Sequence, residues 1–493
     1  MKVLTAPEMR EVDRRTIELG IPGIVLMENA AHRVVEAMAE RFAPLAAQRI
    51  VVLCGKGNNG GDGLAIARQL LTRFRPAALD VVLLASPEDL KGDAAANYRM
   101  LLACGGAVSR EISVSARLAT VLVDALLGTG ISGPASGPML DGIREINGGF
   151  PLAKVVAVDI PSGLPSDAAE ATGEFARADC TVTFTAPKIA HAMPPNCDRM
   201  GALVVGAIGS PPELYEGAWL SMVEPAMFEE LLRPRPRSGH KGTFGHALVV
   251  AGSPGKTGAA AMAGIAALRA GAGLVTVASD ERALPQIAGY APELMTSVIT
   301  DEVLAGKTVI AIGPGLGSQA DLVRRVAALD VPLVADADAL IGDLKRPGTH
   351  PTVMTPHPGE MARLTGKSTA EVQQDRIAVA RAYAMEQGVT LVLKGQRTIV
   401  AFADGRVWIN PTGTPALGTG GSGDILTGLI TGLLAQFPKQ PDEAVAAAVY
   451  LHGLAGEIGA RYLGEKSLIA TDILKYLPEA IAETEPRQSG SPR

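Results

Sequence analysis

Cysteine is scarce in this 493-residue chain. Cys54, Cys104, Cys180 and Cys197 are the only four, and no two form a CxxC pair or a zinc-type spacing. A zinc knuckle, a redox dithiol and a disulfide-stapled secreted fold are therefore not expected, and no chemistry is assigned to these thiols. Aromatic residues make up 4% and charged residues 19% of the chain. Charge below the usual level of about a quarter means that much of the chain is buried. There is no run of Lys or Arg, and the net charge is −6, which argues against nucleic acid as the main partner. Long apolar runs are missing too. The greasiest stretch, 258–278, is rich in Ala and Gly and is interrupted by Arg269. A helix followed by a strand inside a domain is expected there, not a membrane span. The opening residues MKVLTAPEMREVDRRT lack an apolar segment and a cleavage site, so no signal peptide and a cytoplasmic location are expected.

What is abundant is glycine, with 56 residues, and apolar side chains, at 47%. The length calls for two domains. Residues 9–20 and 23–42 have helical patterning. Apolar runs at 50–54, 81–85, 120–123, 155–158 and 181–185 read as buried parallel strands. Alternating strands and helices imply a parallel sheet covered on both faces. Residues 211–238 carry five prolines and little periodicity, so 216–236 is expected to be a linker between domains 1–215 and 237–483. A second α/β series follows, with strands expected at 247–251, 274–278, 308–312, 332–335, 352–354, 390–393 and 398–402. The polar tail 484–493 is expected to be disordered.

Two glycine-rich loops, each opening a helix and each carrying an acid, punctuate these series. The first, GKGNNGGD, spans 55–62. It formally matches the GxGxxG of a dinucleotide-binding loop. The next strand, however, ends in Ala85 and Ser86 and not in an acid for a ribose, and Asn58, Asn59 and Asp62 make the loop unusually polar. Asp124 and Asp159 end later strands, and each leads into a Gly/Pro loop. In an open parallel sheet such ends converge, so Asn59, Asp124 and Asp159 should meet, with Ser162 nearby. These are hard oxygen ligands, suited to an alkali or alkaline-earth ion. One carboxylate then holds the ion while another moves a proton. A helix cap or loop hydrogen bond is the alternative for any single strand-end Asp.

The second loop, GGSGD at 420–424, opens an apolar helix. Small residues there let the backbone wrap a phosphoryl group, and the helix dipole favours the anion. Asp424 should stay ionised and take the proton from an attacking alcohol. The alternative is an N-terminal capping Asp. VAGSPGKT (250–257) is not a Walker A loop, because Val250 stands where the first glycine is needed. His357, between two prolines, either satisfies a turn or serves the site.

The motifs LMENAA (26–31), GKGNNGGDGLAIAR (55–68), DALLGTGISGP (124–134) and AVDIPSGL (157–164) together resemble the NAD(P)H-hydrate epimerase domain, over about residues 1–215. The resemblance implies a Rossmann-like sheet and substrate contacts from Asn58, Asn59, Gly60, Gly61 and Asp62. It implies further contacts from Gly128, Thr129, Gly130, Ile131, Ser132, Gly133 and Pro134. Asn59, Asp124 and Ser162 become potassium ligands, and Asp159 the substrate-contacting proton mover. For LMENAA itself, packing by Leu26 and Met27 is expected, with Glu28 and Asn29 tying down nearby loops.

Residues 237–483 are similar to the ribokinase-like ADP-dependent NAD(P)H-hydrate dehydratase domain. The motifs are HKGTFGHALVVAGS (240–253), IGPGLG (312–317), DADAL (336–340), TPHPGEMARL (355–364), LKGQRTIV (393–400) and GGSGD. The resemblance puts Ala259, Gly315, His357 and Asp424 at the hydrate. It puts Lys394, Gly395, Gln396, Arg397, Thr398 and Gly423 at the nucleotide. It implies repair of hydrated NADH and NADPH: R and S forms exchange at C6, and the S form is phosphorylated by ADP, with Mg2+, then loses phosphate. Potassium belongs to the first domain, partners are small molecules, and a homo-oligomer is expected. Two other readings stay open. One is a sugar or vitamin kinase of ribokinase type with a regulatory N-terminal domain. The other is a nucleotide sensor that turns nothing over.

Overall fold

The computed structural model describes residues 1–485 except 132, 169, 343 and 345–347. The chain divides into two compact units, Met1–Ala218 and the remainder from Trp219.

The first unit is built on a seven-stranded sheet. Its strands are β1 (Arg49–Cys54), β2 (Ala78–Leu83), β3 (Val108–Ser109), β4 (Val121–Ala125), β5 (Lys154–Val158), β6 (Cys180–Phe184) and β7 (Ala202–Gly206). The order is β3-β2-β1-β4-β5-β6-β7, and every pair is parallel. Every residue of β4 and β6 is buried. Helices cover both faces, which is why β1 and β5 read as nearly continuous apolar runs, while β6 buries Thr181 and Thr183 between its apolar residues. The order reverses between β1 and β4, so a crevice opens at their carboxyl ends. Glycine brings helix Asn58–Arg73 onto this edge: a Cβ on Gly60 would lie 1.8 Å from the carbonyl oxygen of Gly55. Helix Gly23–Phe42 buries Leu26 and Met27. Its Glu28 pairs with Arg68 and Gln69, and Asn29 Nδ2 donates to the Ile208 carbonyl at 2.7 Å. Packing by Leu26 and Met27 and the loop tie by Asn29 are as expected of LMENAA, whereas Glu28 ties the helix Asn58–Arg73 and not a loop.

The second unit carries a ten-stranded sheet. It comprises β8 (Leu220–Met222), β9 (His246–Val250), β10 (Leu274–Ser279), β11 (Met295–Val298), β12 (Val309–Ile312), β13 (Leu333–Ala335), β14 (Thr352–Met354), β15 (Thr390–Leu393), β16 (Ile399–Ala401) and β17 (Val407–Ile409). The order is β11-β10-β9-β12-β13-β14-β15-β16-β17-β8. Only the β15/β16 and β16/β17 pairs are antiparallel. The reversal here lies between β9 and β12. Helix Thr257–Arg269 precedes β10, so 258–278 is the helix-then-strand expected. It packs against helix Ser422–Gln436, where a Cβ on Gly428 would lie 2.1 Å from the Ala263 carbonyl oxygen. Small residues at this contact let the two backbones touch. No helix among the described residues is long and apolar enough to cross a membrane.

The expected linker 216–236 is not one. Leu220–Met222 forms β8, parallel to β17, and Phe228, Leu231 and Leu232 are buried in the core of the second unit. The prolines that suggested a joint interrupt any periodicity, yet a three-residue edge strand needs none. Strands β3, β7, β11 and β17 were also not anticipated. They are short or partly exposed, and short segments carry little periodic signal. At the other end, helix Ala470–Thr484 runs into the expected tail, and residues 486–493 lie outside the described residues.

Candidate active sites

The carboxyl ends of the first sheet enclose a cavity of about 860 Å³. Asn58, Asn59 and Asp62 reach it from the glycine loop and its helix. Gly128, Thr129, Gly130 and Ile131 reach it from the loop after β4, and Asp159 from the end of β5. Gly60 and Gly61 are packed between helix and neighbours instead, Gly61 against the Met27 sulfur. Pro134 packs on Gly173, and Gly133 adopts a left-handed φ of 79°. Ser132 lies outside the described residues.

Asp124 and Ser162 sit behind this wall, both fully buried. The Ser162 hydroxyl donates to Asp124 Oδ1 at 2.6 Å, and its backbone N–H donates to Oδ2 at 2.8 Å. The Leu127 N–H donates to the Ser162 hydroxyl at 2.9 Å, which links the pair to the cavity wall. Burial pushes the Asp124 carboxyl up to about 6, against the pull of these donors. Its hydrogen-bond donors, Ser162 and the Leu126 N–H, are all neutral. Asn59 adds a buried side-chain nitrogen without a hydrogen-bond partner, next to Gly128. Half a turn of that amide presents its oxygen at the same place. One carboxylate, one hydroxyl and one amide make an oxygen donor set of low charge, which fits a monovalent cation.

Asp159 has a left-handed backbone, with φ of 65°. For a non-glycine residue this conformation costs of order 1–3 kcal/mol and persists only where its surroundings enforce it. They do. The Asp159 N–H donates to the Val182 carbonyl at 2.8 Å, and His191 Nε2 meets the Asp159 carbonyl at 2.9 Å. Lys188 Nζ lies 2.8 Å from Asp159 Oδ1, and the Thr183 hydroxyl donates to the same oxygen at 2.9 Å. Burial alone would raise this carboxyl, but the Lys188 ammonium and the Thr183 hydroxyl hold it below the ordinary value. The Lys188 N–H donates to His191 Nδ1, so the proton of the neutral ring sits on Nε2 and faces the Asp159 carbonyl. Burial, with the Lys188 charge, brings His191 down to about 4. Asp62 is displaced the other way, well above its ordinary value, by burial and then by the charges of Asp159 and Asp13.

Sequence reasoning missed Asp13, Thr183, Lys188 and His191. A signal existed for Lys188, a lone lysine in the apolar stretch 180–193 and only 1% exposed. Asp13 gave none, because an acid on an amphipathic helix reads as solvated.

In the second unit, Gly315 and Ala259 meet where β9 and β12 diverge: a Cβ on Gly315 would lie 3.1 Å from that of Ala259. The Ser253 hydroxyl donates to the Gly315 carbonyl at 2.9 Å. A second group gathers at the start of helix Ser422–Gln436. Gly421, with φ of 99°, is the residue before its first turn, and Asp424 lies inside that turn. Asp424 is therefore not the capping residue. Lys394 Nζ lies 2.8 Å from Asp336 Oδ1 and is 3.3 Å from where a Gly423 Cβ would stand. Thr355 and Thr427 donate to Asp336 Oδ1 and Oδ2 at 2.8 and 2.9 Å. Burial, with the Asp336 charge, lifts Asp424 to about 6, although Lys394 pulls it down. The helix terminus expected to keep Asp424 ionised is therefore opposed by its surroundings. Burial and a second acid oppose it, so the carboxyl is half ionised at about pH 6 and is mostly ionised at neutral pH.

His357 is a helix cap. Its Nδ1 accepts from the Gly359 N–H at 3.0 Å, and its ring is more than half exposed. Its Nε2 lies 3.5 Å from Glu360 Oε1, in a loop joined to Lys394, whose N–H donates to the Pro356 carbonyl at 2.9 Å. The expected nucleotide loop 394–398 is held from below by Arg376. This guanidinium is 6% exposed and donates to the carbonyls of Leu393, Lys394 and Gln396. Arg397 donates to the Pro411 carbonyl at 2.9 Å, and the Thr398 hydroxyl to that of Gly395 at 2.9 Å. Asp336 and Arg376 had no role assigned from sequence.

Comparison with known proteins agrees with both halves. The family model described as NAD(P)H-hydrate dehydratase matches residues 247–479, and the one described as YjeF-related protein N-terminus matches residues 23–190. The bifunctional NAD(P)H-hydrate repair enzyme Nnr of Moorella thermoacetica is 42% identical over 521 residues, covering 98% of this chain and 97% of that protein. The protein of the same name from Coxiella burnetii is 38% identical, covering 95% and 97%. Among solved structures, the ADP/ATP-dependent NAD(P)H-hydrate dehydratase of Bacillus subtilis, co-crystallised with ATP and Mg2+, is 36% identical. It covers 54% of this chain and 99% of its own, with a TM-score of 0.51. With relatives matched end to end across two α/β units, the chain belongs to the family of bifunctional NAD(P)H-hydrate repair enzymes.

Proposed function

We propose that the two units repair hydrated NADH and NADPH in sequence. The first exchanges the R and S epimers at C6, with Asp159 moving the proton. The second transfers a phosphoryl group from ADP to the C6 hydroxyl of the S form, and loss of phosphate restores the ring double bond. The observation that carries this reading is the setting of Asp424. Its carboxylate stands in the first turn of a glycine-opened helix, with the Lys394 ammonium at the same place. A base beside an anion-binding terminus is what attack by an alcohol on a phosphoryl group needs.

Roles follow from placement. Ala259, Gly315 and His357 border the hydrate, while residues 394–398 and Gly423 hold the nucleotide. Mg2+ fits as an ion that enters on the nucleotide phosphates. Among the described residues no group of three or more His, Cys, Asp or Glu is arranged to hold a metal, and Mg2+ commonly rides on substrate phosphates. Asn59, Asp124 and Ser162 would hold potassium, which would anchor the first substrate loop and offset the buried charge of Asp124. Asn58, Asp62 and the loop from Gly128 would line the hydrated nicotinamide. The proposed location is the cytoplasm and the proposed assembly a homo-oligomer.

The test is to incubate the protein with both hydrate epimers and ADP and to follow reduced-nicotinamide absorbance. Full recovery from an epimer mixture supports the reading. Recovery of the S fraction alone removes the epimerase half, and none removes both.

A further inference from the structure

The acid that the sequence concealed, Asp13, faces the same cavity as Asp159 and Asp62. Its helix, Ala6–Glu18, is fixed at the start by a capping box between Thr5 and Glu8. The Ala6 N–H donates to Asp167 Oδ1 at 2.8 Å, and the Leu4 N–H to the Pro187 carbonyl at 2.9 Å. Leu4, Met9 and Val12 pack on Ala186. The helix that carries Asp13 is thus bolted to the turn that carries Lys188, the partner of Asp159. Asp13 Oδ1 is buried and has no hydrogen-bond partner. A rigidly held carboxyl with an idle oxygen at a substrate cavity has no structural employment.

We propose that Asp13 is the general acid of the first reaction, donating a proton to the C6 hydroxyl while Asp159 acts as the base. This rests on the epimerase reading of the cavity. Asp13 protonates the hydroxyl, the C6–O bond breaks, and the lone pair on N1 forms the C6=N1 bond as water leaves. Water then adds to the other face of C6 and gives its proton to the Asp159 carboxylate. The proton passes from Asp159 back to Asp13 through solvent. In the reverse direction the roles exchange. The C5 protons are untouched, so no co-reactant is consumed.

The charged groups that bear on Asp13 are Lys188, Asp159 and Asp62, and Arg10, Lys56, Asp89, Asp93 and Arg110 share the cavity wall. Burial pushes Asp13 up to about 6, with Asp159 raising and Lys188 lowering it, while Asp159 stays below its ordinary value. Two carboxyls separated in this way supply one acid and one base in one pocket.

The test uses the full-length protein in H2(18)O, with epimers separated by chromatography. Each inversion by the unaltered protein should insert one solvent oxygen at C6. Asp13→Asn should slow exchange by about 10²–10⁴-fold, the usual worth of a positioned acid. The alkaline fall of kcat/KM, set in near pH 6 by Asp13, should vanish in the residual activity. Asp13→Glu, which keeps an acid, should recover part of the rate and the alkaline limb. Inversion without solvent oxygen overturns the proposal, and so does an Asp13→Asn protein with the unaltered rate and pH profile. The oxygen readout needs no variant, so misfolding cannot mask it. If the unaltered protein leaves both epimers alone, the epimerase reading falls, and the role of Asp13 with it.

Discussion

Lys394 and Asp336 form a pair at 2.8 Å across the ends of β15 and β13, with side chains 19% and 2% exposed. Thr355 and Thr427 satisfy the rest of the carboxylate. The pair couples to the proposed base, because Asp336 raises Asp424 and Lys394 lowers it. The proposed phosphoryl-transfer site is therefore a charge triad, of which only the outer members, Lys394 and Asp424, were named from sequence.

The first consequence is a pH profile. A base works when deprotonated, and burial with the Asp336 charge places Asp424 at about 6. ADP-dependent dehydration should be slow below pH 6, rise through it and level off above. Initial rates at saturating ADP from pH 5 to 8 check this. A rate that falls as pH rises through 6 contradicts the assignment.

Asp336→Asn removes the acid that raises Asp424, so the limb should move below pH 6. It also leaves Lys394 with only the Glu360 carboxylate, 4.0 Å away. Breaking one side of a buried pair costs about 3–5 kcal/mol, so the second unit should melt earlier. Urea unfolding followed by dehydratase activity reads the stability, and the pH–rate curve reads the coupling. An unmoved limb refutes the coupling.

How much of this was legible in the sequence follows from the range over which each signal acts. β1, β4, β5 and β6 were legible because buried parallel strands are short runs dominated by apolar residues, β6 with two buried threonines among them. The ends of those strands named Asp124 and Asp159, and the glycine loops named Asn59 and Asp424. The partners were not legible. Asp13 and Lys188 reach the first cavity from a helix and a turn whose local patterning carries no mark of the fold. Asp336 becomes meaningful only beside Lys394, 58 residues away. The supposed linker failed for a related reason: β8 pairs with β17, a partner far along the chain.

Gly60→Ala tests the close approach of the first loop. The added carbon would meet the Gly55 carbonyl oxygen at 1.8 Å, and backbone has little room to give. Overpacking of this kind costs about 1–3 kcal/mol. Epimer exchange should fall, the first unit should unfold at lower urea, and dehydration of the S form should persist. A variant as stable and active as the parent refutes the packing argument.

Replacing potassium by choline tests the cation site. Epimer exchange should fall and return with added potassium, while Asp124→Asn should abolish that response. Exchange indifferent to potassium in the unaltered protein contradicts the donor set of Asn59, Asp124 and Ser162.

The most direct test of two separable sites is a crossed pair of variants assayed for both reactions. Asp424→Ala should lower dehydration by about 10²–10⁴-fold, the usual worth of a general base, and leave epimer exchange intact. Asp159→Asn should stop exchange and leave dehydration of pure S hydrate intact. Equal loss of both reactions in either variant, or none in both, would contradict the account.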